Sequence, residues 1–247
     1  MKITFLGTSH GVPAADRFCS CVMIESGKSV YFIDGGAPMI EGLLRHGRHP
    51  DEVRAVFNTH VHGDHTAHFY HFADLIDWYY KNASVDMYVA DTVFIDAIKN
   101  MIKAANPHAE LAPDRLRFHT VDPAIIYEDE NIKVEFIPTK HFCEPYHSYA
   151  ILVSEGEHRV LFSGDLSQWL AKSDVPEMLA TDQLDLFVCE MAHFGTEHIR
   201  PYIESAKAKQ IAFTHVFPLN KYENIKNLGK ELGISFLTPA DDDVIEI

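Results

Sequence analysis

The sequence predicts an α+β fold in which two mixed β-sheets are flanked by helices. Three observations lead there. Short β-like runs outnumber helical ones, and the two kinds alternate irregularly rather than in strict strand–helix succession. The 247 residues suffice for one large sandwich core, and no linker, low-complexity tract or short-period repeat interrupts them, so a single domain over residues 1–247 is expected.

The elements follow in order. Lys2 to Leu6, Cys21 to Glu25 and Ser29 to Ile33 are β-like runs separated by Gly, Ser and Pro punctuation. Asp34-Gly35-Gly36 breaks the chain, and within Pro38 to His46 the apolar Met39, Ile40, Leu43 and Leu44 recur at helical spacing. Arg54 to Asn58 reads as a strand. Phe69, Phe72, Ala73, Ile76, Tyr79 and Tyr80 then fall on one face of a long helix that should pack against a sheet. Trp78, Tyr79 and Tyr80 read as core of that face more readily than as a surface for stacking a base. Met87 to Ala90 is a strand, Thr92 to Ala105 a helix, and Arg117 to Val121 and Ile132 to Ile137 are strands, with Pro107, Pro113 and Pro123 in the connections. The second half adds strands at Tyr149 to Val153, Arg159 to Phe162, Leu184 to Val188 and Ile211 to Phe213, and helices at Glu197 to Lys209 and Lys221 to Leu232.

Composition narrows the function. A formal net charge of −15, with no run of Lys and Arg, gives no basic footprint for an extended polyanion. The opening apolar stretch, Ile3 to Leu6, is too short for a signal-peptide core, and nothing approaches the roughly 18 apolar residues of a membrane span. A soluble cytoplasmic protein is expected. Cys19, Cys21, Cys143 and Cys189 are too few and scattered for a disulfide framework and read as reduced thiols; Cys19 and Cys21 lack the second thiol pair of a structural zinc site.

The chemistry concentrates in Asn58-Thr59-His60-Val61-His62-Gly63-Asp64-His65, where three imidazoles and a carboxylate crowd between a β-like run and a helix. In extended backbone His60 and His62 point to the same side, and Gly63 permits the tight turn that brings Asp64 and His65 onto the opening of the helix. Two pairs of ligands can then face two adjacent ions.

Thr-His-Val-His-Gly-Asp-His resembles the HxHxDH signature of the metallo-β-lactamase superfamily, and the later motifs of that superfamily have counterparts in order: Pro138-Thr139-Lys140-His141, Phe162-Ser163-Gly164-Asp165 and Phe213-Thr214-His215. The resemblance implies an αββα four-layer sandwich with its site where the sheets meet. It implies that His60, His62 and His141 hold one metal, that Asp64, His65 and His215 hold the other, and that Asp165 bridges them. His147 competes with His141, which is preferred because it follows its strand directly; His147 and Ser148 are then placed nearer substrate. Five imidazoles and two carboxylates suit two Zn²⁺ ions, with Mn²⁺ or Fe²⁺ as alternatives. His62 stands where the oxygen-reducing di-iron branch has a glutamate, which favours hydrolysis.

By the same resemblance the nucleophile is a hydroxide shared by two ions roughly 3.5–4 Å apart, with Asp64 orienting it. Glu190 and His193 are candidates for protonating the leaving group, or for orienting a ligand imidazole. Two divalent ions set against Asp64, Asp165 and a hydroxide leave an inner shell of about +1, which favours a small anionic substrate that the acidic surface repels only within about 8 Å in physiological salt. His10 is a further candidate contact for substrate, and His68 and His71 are weaker candidates for the pocket mouth.

Phe5-Leu6-Gly7-Thr8-Ser9-His10-Gly11-Val12-Pro13 resembles the GTSxGxP opening of ribonuclease Z and related phosphodiesterases, and Asp34-Gly35-Gly36 stands where they carry Asp-Cys-Gly. The chain departs from ribonuclease Z in two respects. Only 23 residues lie between His141 and Asp165, too few for an arm that grips transfer RNA, and the His-Glu-Ala-Thr segment reads Cys189-Glu190-Met191-Ala192. A small phosphodiester, of cyclic phosphate or nucleotide type, is the leading expectation, and transfer RNA is disfavoured. A lactone or thioester on the same metals, or a metal- or ligand-binding module on a hydrolase scaffold, are the alternatives. The superfamily also suggests a homodimer.

Overall fold

The structure, a computed structural model, describes residues 1–247 apart from Ile125 and Cys143. The N-terminal β-like runs form β1 (Lys2–Gly7), β2 (Cys21–Ser26) and β3 (Ser29–Ile33), antiparallel neighbours joined to the parallel strands β4 (Val53–Phe57), β5 (Val85–Val89) and β6 (Leu116–Thr120). The second sheet contains β7 (Ile126–Glu128), β8 (Lys133–Pro138), β9 (Tyr149–Glu155), β10 (His158–Phe162), β11 (Leu184–Glu190) and β12 (Ala208–Thr214), antiparallel from β7 to β10 and parallel from β10 to β12. A last strand, β13 (Val244–Glu246), returns to the edge of the first sheet beside β1.

The two-residue period of the strands assigns their side chains to layers. Along β3, Tyr31 and Ile33 enter the core between the sheets with Phe5, Phe57, Phe136, Phe162 and Val188. Val30 and Phe32 point the other way, against Met39 and Leu43 of α1 (Met39–Arg45), Phe72 and Ile76 of α3 (Phe69–Trp78) and Ile98 of α4 (Thr92–Ala105). On the far side, Leu161, Phe187 and Phe213 meet Ile199 and Ile203 of α6 (Thr196–Ser205) and Ile225 of α7 (Lys221–Leu232). Helix, sheet, sheet, helix is therefore the layer order, with two short helices, α2 (Gly63–Thr66) and α5 (Met178–Thr181), in the connections. Among the described residues no helix is long and apolar enough to cross a membrane.

Two expectations need correction. The helix after the histidine cluster ends at Trp78, and Trp78 and Tyr79 are exposed while only Tyr80 packs on the core. The helix expected over Glu197 to Lys209 stops at Ser205, because Ala206 turns extended and the chain from Ala208 pairs with β11. The edge strands β7 and β13 have three residues each and no periodic signal of their own; their partners define them.

Candidate metal centre

The connections that leave β4, β8, β10, β11 and β12 bring the chemistry-bearing residues to one end of the sandwich, as expected where parallel strands deliver loops from their carboxyl ends. Asn58, wholly buried after β4, donates from Nδ2 to Asp34 Oδ1 at 2.9 Å and to the carbonyl oxygen of His60 at 2.6 Å. Thr59 donates to Asp34 from its backbone N–H at 2.8 Å and from Oγ1 at 2.7 Å.

Those bonds decide the imidazole tautomers. The single hydroxyl proton of Thr59 goes to Asp34, so its oxygen, 3.0 Å from His60 Nδ1, is an acceptor there. His60 thus carries its proton on Nδ1 and presents the Nε2 lone pair to the site. His65 follows the same pattern, with Nδ1 2.8 Å from Asp34 Oδ2 and a buried Nε2 that has no hydrogen-bond partner. One carboxylate orients both rings.

Two groups of ligand-type atoms result, each with all members within 4.8 Å of one another: His60, His62, His141 and Asp165, and His65, Asp165, Glu190 and His215. In the first, His62 Nδ1 lies 3.0 Å from His60 Nε2 and 3.2 Å from His141 Nε2. Asp165 stands between the groups, with Oδ2 3.8 Å from the Nε2 atoms of His60 and His141 and 3.9 Å from that of His65, and Oδ1 3.7 Å from His215 Nε2. Asp64 Oδ2 is 3.6 Å from His65 Nε2 and 3.4 Å from His215 Nε2, while Glu190 Oε2 is 3.9 Å from His65 Nε2.

This arrangement fits divalent cations. His65 Nε2, Asp165 Oδ1 and Glu190 Oε2 are buried polar atoms without hydrogen-bond partners, which a folded protein tolerates only for a reason. Burial holds His60 well below the usual histidine range and His141 at about 4, so both rings are neutral and able to ligate. Burial opposes charge on His65 as well, yet Glu190, Asp34 and Asp165 outweigh it and push that ring up to about 10; this half of the site calls for positive charge. Asp165 is buried too, but the rings of His215, His193, His65 and His60 hold its carboxyl well below the ordinary range.

A cleft of 880 Å³ opens over the cluster, and His10, His62, Asp64, Asp165, His193 and His215 all reach its wall. His193 is partly exposed there, with Nε2 2.9 Å from Asp165 Oδ2. The His10 ring sits 4.2 Å from that of Phe217. Glu190 is buried instead: its Oε1 accepts from Ser20 Oγ at 2.6 Å, and it borders a void of only 10 Å³ between the sheets. His147 and Ser148 stand apart from the cleft, in a separate cavity of 560 Å³. His147 Nδ1 lies 3.0 Å from Asp91 Oδ1, and buried Ser148 accepts from Thr139 Oγ1 at 2.8 Å and from the backbone N–H of Phe142, bracing the loop that carries His141. His68 precedes α3 without lining the cleft, and His71 is exposed on that helix. Cys19, Cys21 and Cys189 are free and buried, and Cys143 lies outside the described residues.

Sequence reasoning gave no role to Asp34, Asn58 or Thr59. The available signal was that Asp34 ends a strand beside the histidine motif, but the convergence of their bonds is tertiary.

Fold and site define the class: a metallo-β-lactamase fold, similar in sequence to ribonuclease Z, with two groups of residues that could hold metal ions. Residues 1–200 match the family described as anti-Pycsar protein Apyc1, and the chain belongs to that family. It is similar to ribonuclease Z of Microcystis aeruginosa, 32% identical over 153 residues that make up 61% of this chain and 46% of the relative. The chain thus matches about half the length of the curated relatives. Among solved structures it is similar to the metallo-β-lactamase fold protein YhfI of Bacillus subtilis (TM-score 0.79, 18% identity, 100% of this chain and 99% of that one). It is also similar to the short form of human tRNase Z, ELAC1 (TM-score 0.75, 19% identity, 100% and 99%).

Proposed function

We propose that the protein is a dinuclear metal-dependent phosphodiesterase acting on a small phosphodiester of cyclic phosphate or cyclic nucleotide type. The observation that carries this reading is Asp165, whose two carboxylate oxygens lie between two groups of ligand-type atoms and within 3.9 Å of the imidazoles of His60, His65, His141 and His215. His60, His62 and His141 would hold one ion and Asp64, His65 and His215 the other, with Asp165 shared and Glu190 within reach of the second. Nitrogen-rich, oxygen-completed donor sets of this kind suit Zn²⁺, and Mn²⁺ or Fe²⁺ after it. Divalent ions bound there supply Lewis acidity, lowering the pKa of a water and offsetting charge on the attacked phosphoryl group.

The remaining roles belong to the chain. Asp64, half-buried on the cleft wall and held at about 2 by the neighbouring His215 and His65 against the opposing effect of burial, stays ionised and orients the attacking water by accepting its hydrogen bond. His193 is the proposed proton donor to the leaving oxygen, because its ring lines the cleft while Asp165 fixes its orientation. Glu190, buried against Ser20, serves the ligand cluster and not the leaving group.

The small substrate is supported by how the chain is spent after His141. The 23 residues before Asp165 include the β9–β10 hairpin, which leaves a short loop and, among the described residues, no projecting arm. The 880 Å³ cleft matches a nucleotide-sized ligand.

The test is metal content by elemental analysis together with turnover of bis(p-nitrophenyl) phosphate, on wild type and Asp64→Ala. Near two metals per chain, with turnover lost in the variant, is the expected result. Two metals without turnover of any diester would shift the reading to lactones, thioesters or a binding role, and no retained metal would overturn the site.

A further inference from the structure

We propose that Trp169 is a specificity-determining residue of this site, its indole the platform on which the base of a cyclic nucleotide stacks. This rests on the cyclic nucleotide reading above and adds which residue holds the base.

The loop after Asp165 is held in a costly shape. Trp169 has φ 56° and ψ 20°, and Leu170 and Ser173 also take left-handed φ, at 50° and 48°. Side chains other than glycine rarely adopt this conformation, and bulky ones least of all. It persists because its surroundings over-determine it. Asp174 accepts from Ser167 N–H and Oγ, both at 2.9 Å, and from Lys140 N–H at 3.1 Å. Leu170 N–H donates to the Ser167 carbonyl at 2.9 Å, and the Leu170 side chain is buried in the core under α6 and α7.

The outcome inverts what folding alone would favour. Leu170 is 6% exposed, whereas the larger apolar side chain beside it, Trp169, is left 60% exposed on the wall of the catalytic cleft. Trp78 makes a useful contrast: it is 49% exposed, but it lies at the end of a regular helix, its Nε1 bonds Asp74, and it is outside the cleft. Backbone strain at an exposed aromatic in a cleft is the pattern in which strain serves a ligand.

Trp169 is also tied to the reacting centre. Its backbone N–H donates to the His193 carbonyl at 2.9 Å, and its loop begins directly after Asp165 and Leu166. A ring stacked on the indole is therefore positioned relative to a phosphoryl group held between Asp165 and His193. The amides of Gln168, Asn220 and Asn224 line the same cleft and offer donors and acceptors to the edge of a base, while stacking itself tolerates any base because each has a π-face.

The experiment uses metal-loaded protein. Trp78→Phe leaves Trp169 as the sole tryptophan of two, so its fluorescence reports the platform directly. The ligands are the 3′,5′-cyclic nucleotides and 1-deoxyribose 3′,5′-cyclic phosphate, which has hydrogen in place of the base. Cyclic nucleotides are expected to quench Trp169 emission and the baseless phosphate not to. Trp169→Ala is expected to lower the ratio of kcat/KM between nucleotide and baseless phosphate by roughly ten- to a hundredfold, mainly through KM, and Trp169→Phe to restore most of it. Turnover of nucleotides without base-dependent quenching, or equal losses on both substrates in Trp169→Ala, overturns the platform and leaves the phosphodiesterase reading intact. Base-dependent quenching without turnover of any diester supports the platform and removes that reading. Neither quenching nor turnover defeats both.

Discussion

Asp34 Oδ2 lies 2.8 Å from Nδ1 of His65, and the same carboxylate takes both the amide and the hydroxyl proton of Thr59, the residue that turns the ring of His60. A single buried side chain thus sets the lone-pair direction of one imidazole in each half of the site. Asp34→Asn keeps the shape but reverses one hydrogen-bonding direction, and is expected to lower metal affinity by roughly 10–100-fold. Competition against a chromophoric chelator measures it; an affinity within twofold of wild type would show that Asp34 is merely structural.

Metal removal should be visible in stability. The buried atoms without partners at His65, Asp165 and Glu190 are favourable only when a cation meets them. Chelation is expected to lower Tm, and an ion restored at about a thousand times its Kd to return about 4 kcal/mol, or roughly 8–16 °C. Thermal unfolding across a metal titration checks this, and a Tm independent of metal would contradict the assignment.

Gly36 packs against the backbone of the ligand motif. A Cβ there would fall on the carbonyl oxygen of Asp64 and close to the Cys19 side chain. Gly36→Ala is expected to displace Asp64 and reduce bound metal while the β-sheet circular dichroism signal persists. Full metal content in the variant would show that the backbone yields without disturbing Asp64.

Phe57 is the aromatic hub between the sheets, fully buried, with the rings of Tyr127, Tyr88 and Phe136 at 5.1, 5.7 and 6.1 Å. Phe57→Ala is expected to cost about 3–5 kcal/mol, read as a lower urea midpoint. A loss below about 1 kcal/mol would mean that the inter-sheet core collapses around the gap.

Asp129 provides a pH test remote from the metals. Burial opposes its charge, but Tyr31, the backbone N–H groups of Ile132 and Asn131, and Tyr127 donate to it and hold its carboxyl below the usual range. A folded-state pKa below the unfolded value of about 3.9 contributes stability at higher pH that fades as pH falls through the folded pKa. The stability advantage of wild type over Asp129→Asn should be constant from neutrality to about pH 5 and shrink below about pH 4. An advantage that grows on acidification would reverse the sign and the explanation.

The histidine motif, the order of the main elements and the two-sheet class were legible from the sequence because each is a local signal: ligand types packed between a strand and a helix, and periodicities of two and 3.6 residues. The tertiary structure decided the rest. Only the folded chain brings Asp34 under His60 and His65, separates His147 and Ser148 from the cleft, and sinks Glu190 beside Ser20, because those relations join residues far apart in sequence through hydrogen bonds that periodicity does not encode. The same holds for Trp78 and Tyr79, where an aromatic run resembles core until the helix ends at Trp78, and for Trp169, whose exposure follows from a loop pinned by Asp174 and the burial of its neighbour Leu170. Local sequence specifies which groups are available; packing decides which of them face one another, since burial and hydrogen-bond satisfaction are properties of the whole fold.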